Sequence, residues 1–234
     1  MGKGYFMYHF LLIDLDDTIL DFKAAEHRAL RLTLEAFGLT PTAEVCARYS
    51  VINQRHWQML ERKELTRDQV LVGRFRVLFD EYGIAADPAA TARCYAEFLS
   101  QGHFFLPGAE EALARLSEKY PLYIVSNGTA SVQKGRLASA NIGRYFREIF
   151  ISQEIGVNKP DREFFTRCFA RIPDFDPARA LIVGDSLTSD IQGGINAGIA
   201  TCWVNPTGKP APAHIQPTYQ IPTLAHLEAL LESL

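Results

Sequence analysis

Residues 10–18 read Phe-Leu-Leu-Ile-Asp-Leu-Asp-Asp-Thr, and the fold of the chain follows from this stretch. The mainly apolar run that leads into it, residues 5–14, is typical of a strand buried on both faces of a sheet. Asp14, Asp16 and Asp17 stand where this strand ends, and no small-residue cleavage pattern of a signal peptide follows it. The stretch therefore predicts a central strand with carboxylates at its carboxyl end.

Beyond about residue 105, short apolar runs alternate with helical patterns. Strands of this kind, separated by helices, are typical of a parallel sheet that helices cover on both faces. Gly198 is predicted to end a helix in the left-handed conformation. The predicted strands are Leu122–Val125, Glu148–Ile151, Ala180–Val183 and Ala200–Val204.

The segment after the first strand has helical periodicity and no strand pattern. We therefore predict a catalytic core of residues 1–20 and 104–234, into which a helical domain of residues 21–103 is inserted. Clusters of Gly, Pro and polar residues punctuate the helical pattern. The predicted breaks between its helices lie near Gly38–Pro41, Lys63–Thr66 and Gly83–Pro88.

The composition limits the class of protein. With 24 Lys and Arg against 27 Asp and Glu, the net charge is −3, which argues against binding to nucleic acid polymers or to a membrane surface. No apolar run reaches the roughly 18–20 residues of a membrane span. The cysteines have no zinc or redox spacing and are predicted to be reduced, buried thiols of a cytoplasmic protein, with no signal for an oligomeric state. They are Cys46, Cys94, Cys168 and Cys202.

Asp14 and Asp16 alternate at the mouth of the first predicted strand. Reactive groups of open parallel sheets gather at the carboxyl ends of the strands. Two carboxylates this close repel each other, and a bound divalent cation such as Mg²⁺, which prefers oxygen ligands, would offset that repulsion. The alternative is a solvated acidic turn.

Three further motifs follow predicted strands or open helices. Ser126-Asn127-Gly128 could hold anionic oxygens at a helix start, or could be a simple cap and turn. Lys159 precedes a proline and a helix that Asp161 is predicted to cap, and alone it indicates only a solvated lysine. The run 184–190 brings two more acids to a strand end, whereas Gly193-Gly194 indicates close packing of a helix on the sheet.

Acids, a hydroxyl, a lysine and acids thus occur in this order at four places along the predicted core. This combination resembles the haloacid dehalogenase superfamily over nearly the whole chain. The resemblance implies an α/β fold with a Rossmann-like parallel sheet core and an inserted α-helical cap. The matching motifs are Asp14-x-Asp16-x-Thr18, Ser126, Lys159-Pro160 and Gly184-Asp185-x₄-Asp190.

The resemblance also implies a mechanism. Asp14 would be the nucleophile that forms an aspartyl-phosphate, and Asp16 would protonate the leaving oxygen and then activate water. Small phosphate esters would be the substrates and Mg²⁺ the cofactor. The implied phosphate ligands are Ser126, Asn127 and Lys159, the implied metal ligands are Asp14, Asp185 and the backbone carbonyl of Asp16, and the implied supporting residues are Thr18 and Asp190.

The acid at position 16 favours a phosphatase, since the dehalogenases of this superfamily lack it. Asn53, Trp57 and Arg74 are similar to residues of pyrimidine nucleoside-monophosphate 5′-nucleotidases and are candidates for substrate binding. The alternatives without a binding role are that Trp57 packs in the core of the cap and that Arg74 is a solvated charge on a helix. The alternative functions are a phosphatase of N-acylneuraminate 9-phosphate or another sugar phosphate, a phosphomutase, and a non-catalytic relative that binds a ligand.

Overall fold

The structure, a computed structural model, describes residues 7–234. Within these residues six strands form one sheet, in which every pair of neighbours is parallel. They are β1 (Phe10–Ile13), β2 (Leu122–Ser126), β3 (Phe146–Ile151), β4 (Ala180–Gly184), β5 (Ala200–Val204) and β6 (Tyr219–Ile221). Their order is β3-β2-β1-β4-β5-β6, which confirms the predicted parallel α/β sheet.

Helices cover both faces of this sheet, and a further group lies in one stretch of the sequence. None of those in the described residues is long and apolar enough to cross a bilayer. They are α1 (Phe22–Ala36), α2 (Ala43–Glu61), α3 (Arg67–Tyr82), α4 (Pro88–Ser100), α5 (Ala109–Lys119), α6 (Ala130–Ser139), α7 (Ser152–Ile155), α8 (Arg162–Phe169), α9 (Gln192–Ala197) and α10 (Leu227–Glu232).

Two strands, β1 and β6, differ from the prediction. β1 is shorter than the predicted run 5–14, although backbone hydrogen bonds continue to His9 and Asp14 on either side of it. Residues 5 and 6 of that run lie outside the described residues, and so do residues 1–4 of the predicted core. β6 has no predicted counterpart because three residues are too few to define a period.

Alternate residues of β1 enter two separate apolar clusters, since successive side chains of a strand point to opposite faces. Leu11 and Ile13 pack with residues of α5 and α10, whereas Phe10 and Leu12 pack with residues of α8. Both faces of the sheet are therefore buried, and its carboxyl edge is the place where polar groups can meet.

Helices α1–α4 follow one another with no strand between them, and we call residues 22–100 the helical segment. They form an apolar cluster that Val132 of α6 also joins. Tyr49, Phe75 and Tyr95 lie at the centre of this cluster, with ring centroids 5.0–5.5 Å apart. The helices break where the sequence predicts. Thr66 caps α3 after one such break in a capping box with Gln69, a device that typically contributes about 1 kcal/mol.

The chain leaves the sheet for the helical segment and returns from it at adjacent points. Leu20 and Phe105 form an isolated antiparallel bridge. The backbone N–H of Asp21 donates to the carbonyl oxygen of Phe104 at 2.8 Å. We propose that the helical segment is a cap domain joined to the core by this pair of crossings.

Two glycine predictions are confirmed, and so is the prediction of buried free thiols for Cys46, Cys168 and Cys202, whereas Cys94 is only partly buried. A Cβ at Gly194 would lie 2.5 Å from methyl carbons of Ile182 and Thr201, so only glycine allows α9 to pack this close to the sheet. Gly198 ends α9 with φ +74°. The four cysteines are free thiols, and burial raises the pKa of Cys202 to about 12.

Candidate active site

Three carboxylates meet at the carboxyl edge of the sheet. Asp14 follows β1 and Asp185 follows β4, and these strands are neighbours with Ile13 beside Val183. Asp14, Asp185 and Asp190 each offer an oxygen, and these oxygens all lie within 4.8 Å of one another. We call these three residues the acidic cluster.

Asp190 reaches the cluster because of the turn that follows β4. Ser186 caps the π-helical turn Leu187–Ile191, and its backbone N–H donates to Oδ2 of Asp190 at 3.1 Å. A Cβ at Gly184 would lie 2.2 Å from that same oxygen, so glycine is required there. The resemblance implied only a supporting role for Asp190, whereas the structure places it in the acidic cluster itself.

Lys159 is fully buried and contacts two members of the acidic cluster. Its Nζ donates to Oδ1 of Asp14 at 2.7 Å, to Oδ1 of Asp190 at 2.6 Å and to the carbonyl oxygen of Val125 at 2.7 Å. Burial acts to lower the pKa of Lys159, but the two carboxylates outweigh it and hold that pKa above its usual value. The alternative of a solvated lysine is therefore excluded.

Charge at this site is unbalanced. In the described part of the chain, one ammonium group faces the three carboxylates of the acidic cluster. Burial raises the pKa of Asp14 to about 8, although the nearby Lys159 acts to lower it. Burial and the neighbouring carboxylates of Asp14 and Asp190 hold the pKa of Asp185 well above its usual value. A buried group of hard oxygen donors that lacks positive charge is chemically suited to a divalent cation such as Mg²⁺.

The loop after β2 forms the opposite side of the site. The Asn127 side chain clamps the backbone of Lys159, because Nδ2 donates to its carbonyl oxygen and Oδ1 accepts from its N–H, both at 2.9 Å. Ser126 Oγ accepts from the backbone N–H of Gly128 at 3.1 Å and from Gln133 Nε2 at 2.8 Å. Its hydroxyl proton remains available for an anionic oxygen, whereas Asn127 positions the lysine.

The carboxylate of Asp16 is held by two residues that sequence reasoning missed. Arg136 Nη1 donates to Oδ1, and Gln133 Nε2 donates to Oδ2 at 2.6 Å. Both partners are buried on α6. Gln133 and Arg136 are three residues apart on α6, but this spacing alone does not indicate that they share a partner. Their partner, Asp16, lies more than a hundred residues away in the sequence. Thr18, a predicted supporting residue, is fully buried and its hydroxyl has no hydrogen-bond partner among the described residues.

A cavity of about 510 Å³ opens above these groups, between the core and the helical segment. Trp57 and Arg74 line it, whereas Asn53 lies behind Arg74 and links it to Glu26 through hydrogen bonds of 2.7 and 2.6 Å. Arg74 is buried against Tyr49, Phe75 and Tyr95, which excludes the alternative of a solvated helix charge.

The helical segment also contacts the core loops directly. Arg67 donates to the carbonyl oxygens of Asn127 and Gly128 at 2.9 and 3.1 Å, and to side-chain oxygens of Ser152 and Asn158 at 2.8 Å. Burial lowers the pKa of Arg67 to about 10. Two more contacts join the same surfaces, between Glu61 and Thr188 and between Lys63 and Asp161.

Residues 9–198 match the family model of the haloacid dehalogenase-like hydrolases. The chain belongs to this family. The residues that match the haloacid dehalogenase-like hydrolases include β1–β4, the helical segment and the acidic cluster. The family membership and the parallel sheet together confirm the predicted fold class.

Similar members of the haloacid dehalogenase-like hydrolases match nearly the full chain. The HAD-hydrolase YfnB of Bacillus subtilis is 44% identical over 96% of this chain and 95% of its own length. The pyrimidine 5′-nucleotidase PynA of Streptococcus pneumoniae is 39% identical, covering 92% and 91%. The pyrimidine 5′-nucleotidase YjjG of Escherichia coli is 30% identical, covering 96% and 98%. The crystal structure of magnesium-bound YfnB superposes with a TM-score of 0.91 over 96% of this chain and 98% of that chain.

Proposed function

We propose that this hydrolase is a Mg²⁺-dependent phosphomonoesterase that acts on nucleoside 5′-monophosphates of pyrimidines. The observation that carries the proposal is the buried Asp14 beside Lys159 and the acidic cluster, under a cavity large enough for a small ester. The pyrimidine specificity rests on the similarity to PynA and YjjG.

In the first step, a carboxylate oxygen of Asp14 attacks phosphorus. The bond between phosphorus and the ester oxygen breaks, and Asp16 transfers a proton to that oxygen as the alcohol leaves. Asp14 then carries the phosphoryl group as an acyl phosphate. In this proposal, Lys159, which donates to Asp14, and Ser126, which lines the same cavity, stabilise the charge of the phosphoryl oxygens.

In the second step, Asp16, now a carboxylate, takes a proton from water as the water oxygen attacks phosphorus. The bond between phosphorus and Asp14 breaks, and inorganic phosphate leaves with both acids restored to their starting states. Asp14, Asp185 and the backbone carbonyl of Asp16 would hold Mg²⁺ in this proposal. When bound, Mg²⁺ supplies positive charge next to the phosphoryl oxygens and favours the ionised form of the nucleophile.

The proposal is tested with a panel of phosphate esters in the presence of Mg²⁺. We expect kcat/KM for dUMP, dTMP and UMP to exceed that for sugar phosphates by at least roughly tenfold, because the cavity would then contact the base as well as the phosphate. The reverse order would overturn the nucleotidase assignment. Transfer of phosphate between two positions of one hexose phosphate would identify a mutase instead.

Mg²⁺ is expected to raise the melting temperature of the wild-type protein by several degrees, because it binds only the folded site. EDTA should reverse this shift and stop phosphate release. Asp185→Asn should abolish most of the shift, whereas the exposed Asp80→Asn, which makes the same charge change, should keep it. Equal shifts in the two variants, or activity that survives thorough chelation, would contradict the metal assignment.

A further inference from the structure

Arg136 is an unusual residue for the interior, because its side chain has 0% exposure and, among the described residues, Asp16 is its one acidic partner. Its Nη2 is buried with no hydrogen-bond partner among the described residues. Buried ion pairs contribute little to net stability compared with apolar packing of the same volume. Stability therefore does not explain why an arginine occupies this place.

The surroundings of Arg136 join three parts of the molecule. Nη1 contacts Asp16, Nε donates to the carbonyl oxygen of Gly102 at 3.0 Å, and the guanidinium lies over the ring of Phe22 at 5.7 Å. Phe22 is the first residue of the helical segment and Gly102 follows its last helix, so they lie next to the two crossings. One side chain thus touches the carboxylate of Asp16 and both crossings.

Gln133 completes the arrangement from the previous turn of α6. Its Nε2 donates to Oδ2 of Asp16 at 2.6 Å and to Oγ of Ser126 at 2.8 Å, while its Oε1 accepts from Arg136 at 3.2 Å. Both oxygens of Asp16 are therefore held, and the carboxyl group is fixed relative to the serine beside the acidic cluster. A guanidinium and an amide leave this carboxyl group little rotational freedom.

We propose that Arg136 is a positioning residue that orients the carboxyl group of Asp16 toward the leaving-group oxygen and joins that orientation to the two crossings of the helical segment. The inference rests on the proposed phosphatase function. It adds a residue that acts through Asp16 without touching the substrate.

The test compares two esters whose leaving groups differ in how strongly their departure depends on receiving a proton. An alkyl ester such as dTMP has a poor leaving group, whereas p-nitrophenyl phosphate releases a stabilised phenolate. The ratio kcat/KM reports the steps up to departure of the leaving group and excludes hydrolysis of the acyl phosphate. We expect Arg136→Met to lower kcat/KM for dTMP by at least about a hundredfold, and for p-nitrophenyl phosphate by less than about tenfold.

Two comparisons separate positioning from general damage. Asp16→Asn should show the same selective loss, and adding Arg136→Met to it should cause little further loss, because residues that act as a unit are not additive. Leu137→Ala, a cavity in the same helix at a buried residue that does not contact Asp16, should change both esters equally. If Arg136→Met does not fold, Arg136→Lys is used, and a smaller loss that still favours p-nitrophenyl phosphate is expected.

Equal losses for the two esters, or additive effects in the double variant, would overturn the role of Arg136. Wild-type protein that hydrolyses neither ester with Mg²⁺ would instead overturn the proposed function. The two failures are therefore distinguishable in one set of assays.

Discussion

Replacing Asp14 with asparagine is expected to lower phosphate release from every ester by roughly 10⁴-fold or more, with the chain still folded. Asparagine has the shape of aspartate but lacks the nucleophilic oxygen. The fold should survive because Lys159 keeps its contacts with Asp190 and Val125. Burial raises the pKa of Asp14 to about 8, so the site already disfavours a negative charge at this position. A neutral asparagine should therefore be tolerated there.

The measurement combines steady-state kinetics with thermal unfolding, and Asp80→Asn serves as the surface control. Mass spectrometry after rapid acid quench should find one phosphoryl group on the Asp14 peptide of the wild-type enzyme and none in the variant. Retained turnover in Asp14→Asn would rule out this residue as the nucleophile. Loss of activity accompanied by unfolding would leave the nucleophile to be decided by the quench experiment on the wild-type protein.

Replacing Lys159 with methionine should lower both activity and stability. The variant removes the ammonium group that lies between Asp14 and Asp190, so the buried carboxylates lose their cation. Removing one partner of a buried pair typically costs about 3–5 kcal/mol of unfolding free energy. Phosphate release should fall by at least roughly a hundredfold, because the phosphoryl oxygens also lose the ammonium group beside Asp14.

Lys134→Met is the matched control, since Lys134 pairs with Glu154 on the surface and its loss should cost about 1 kcal/mol or less. Urea denaturation measures both variants. Mg²⁺ should restore part of the stability of Lys159→Met, because a dication also offsets the repulsion of the acidic cluster. If Lys159→Met were as stable as Lys134→Met, the acidic cluster would not need this lysine for the stability of the fold.

The sequence predicts the parallel sheet and the meeting of the acids for one physical reason. Fully apolar runs such as Leu122–Val125 and Ala180–Val183, which alternate with helical patterns, are typical of strands buried on both faces, and parallel strands direct their carboxyl ends to one edge. Asp14 and Asp185 follow two of these runs, so their proximity is a consequence of the sheet. The breaks of the helical segment are predictable because caps such as Thr66 act locally.

Contacts across the fold are not predictable in this way. Arg136 and Arg74 stand on amphipathic helices where an arginine is normally solvated, and only the tertiary packing places them inside. Asp190 enters the acidic cluster through a π-helical turn and the missing side chain of Gly184, and neither has a periodicity that a sequence pattern reveals. Long-range partners and local irregularities thus explain why the sequence did not indicate Arg136, and why it did not indicate the burial of Arg74 or the place of Asp190 in the acidic cluster.

The bridge between Leu20 and Phe105 brings together the point where the chain leaves the core and the point where it re-enters the core. Whatever lies between such ends can lengthen, shorten or diverge during evolution without moving the sheet. Descendants of one ancestor can therefore exchange the part that admits a molecule while inheriting unchanged the part that reacts with it.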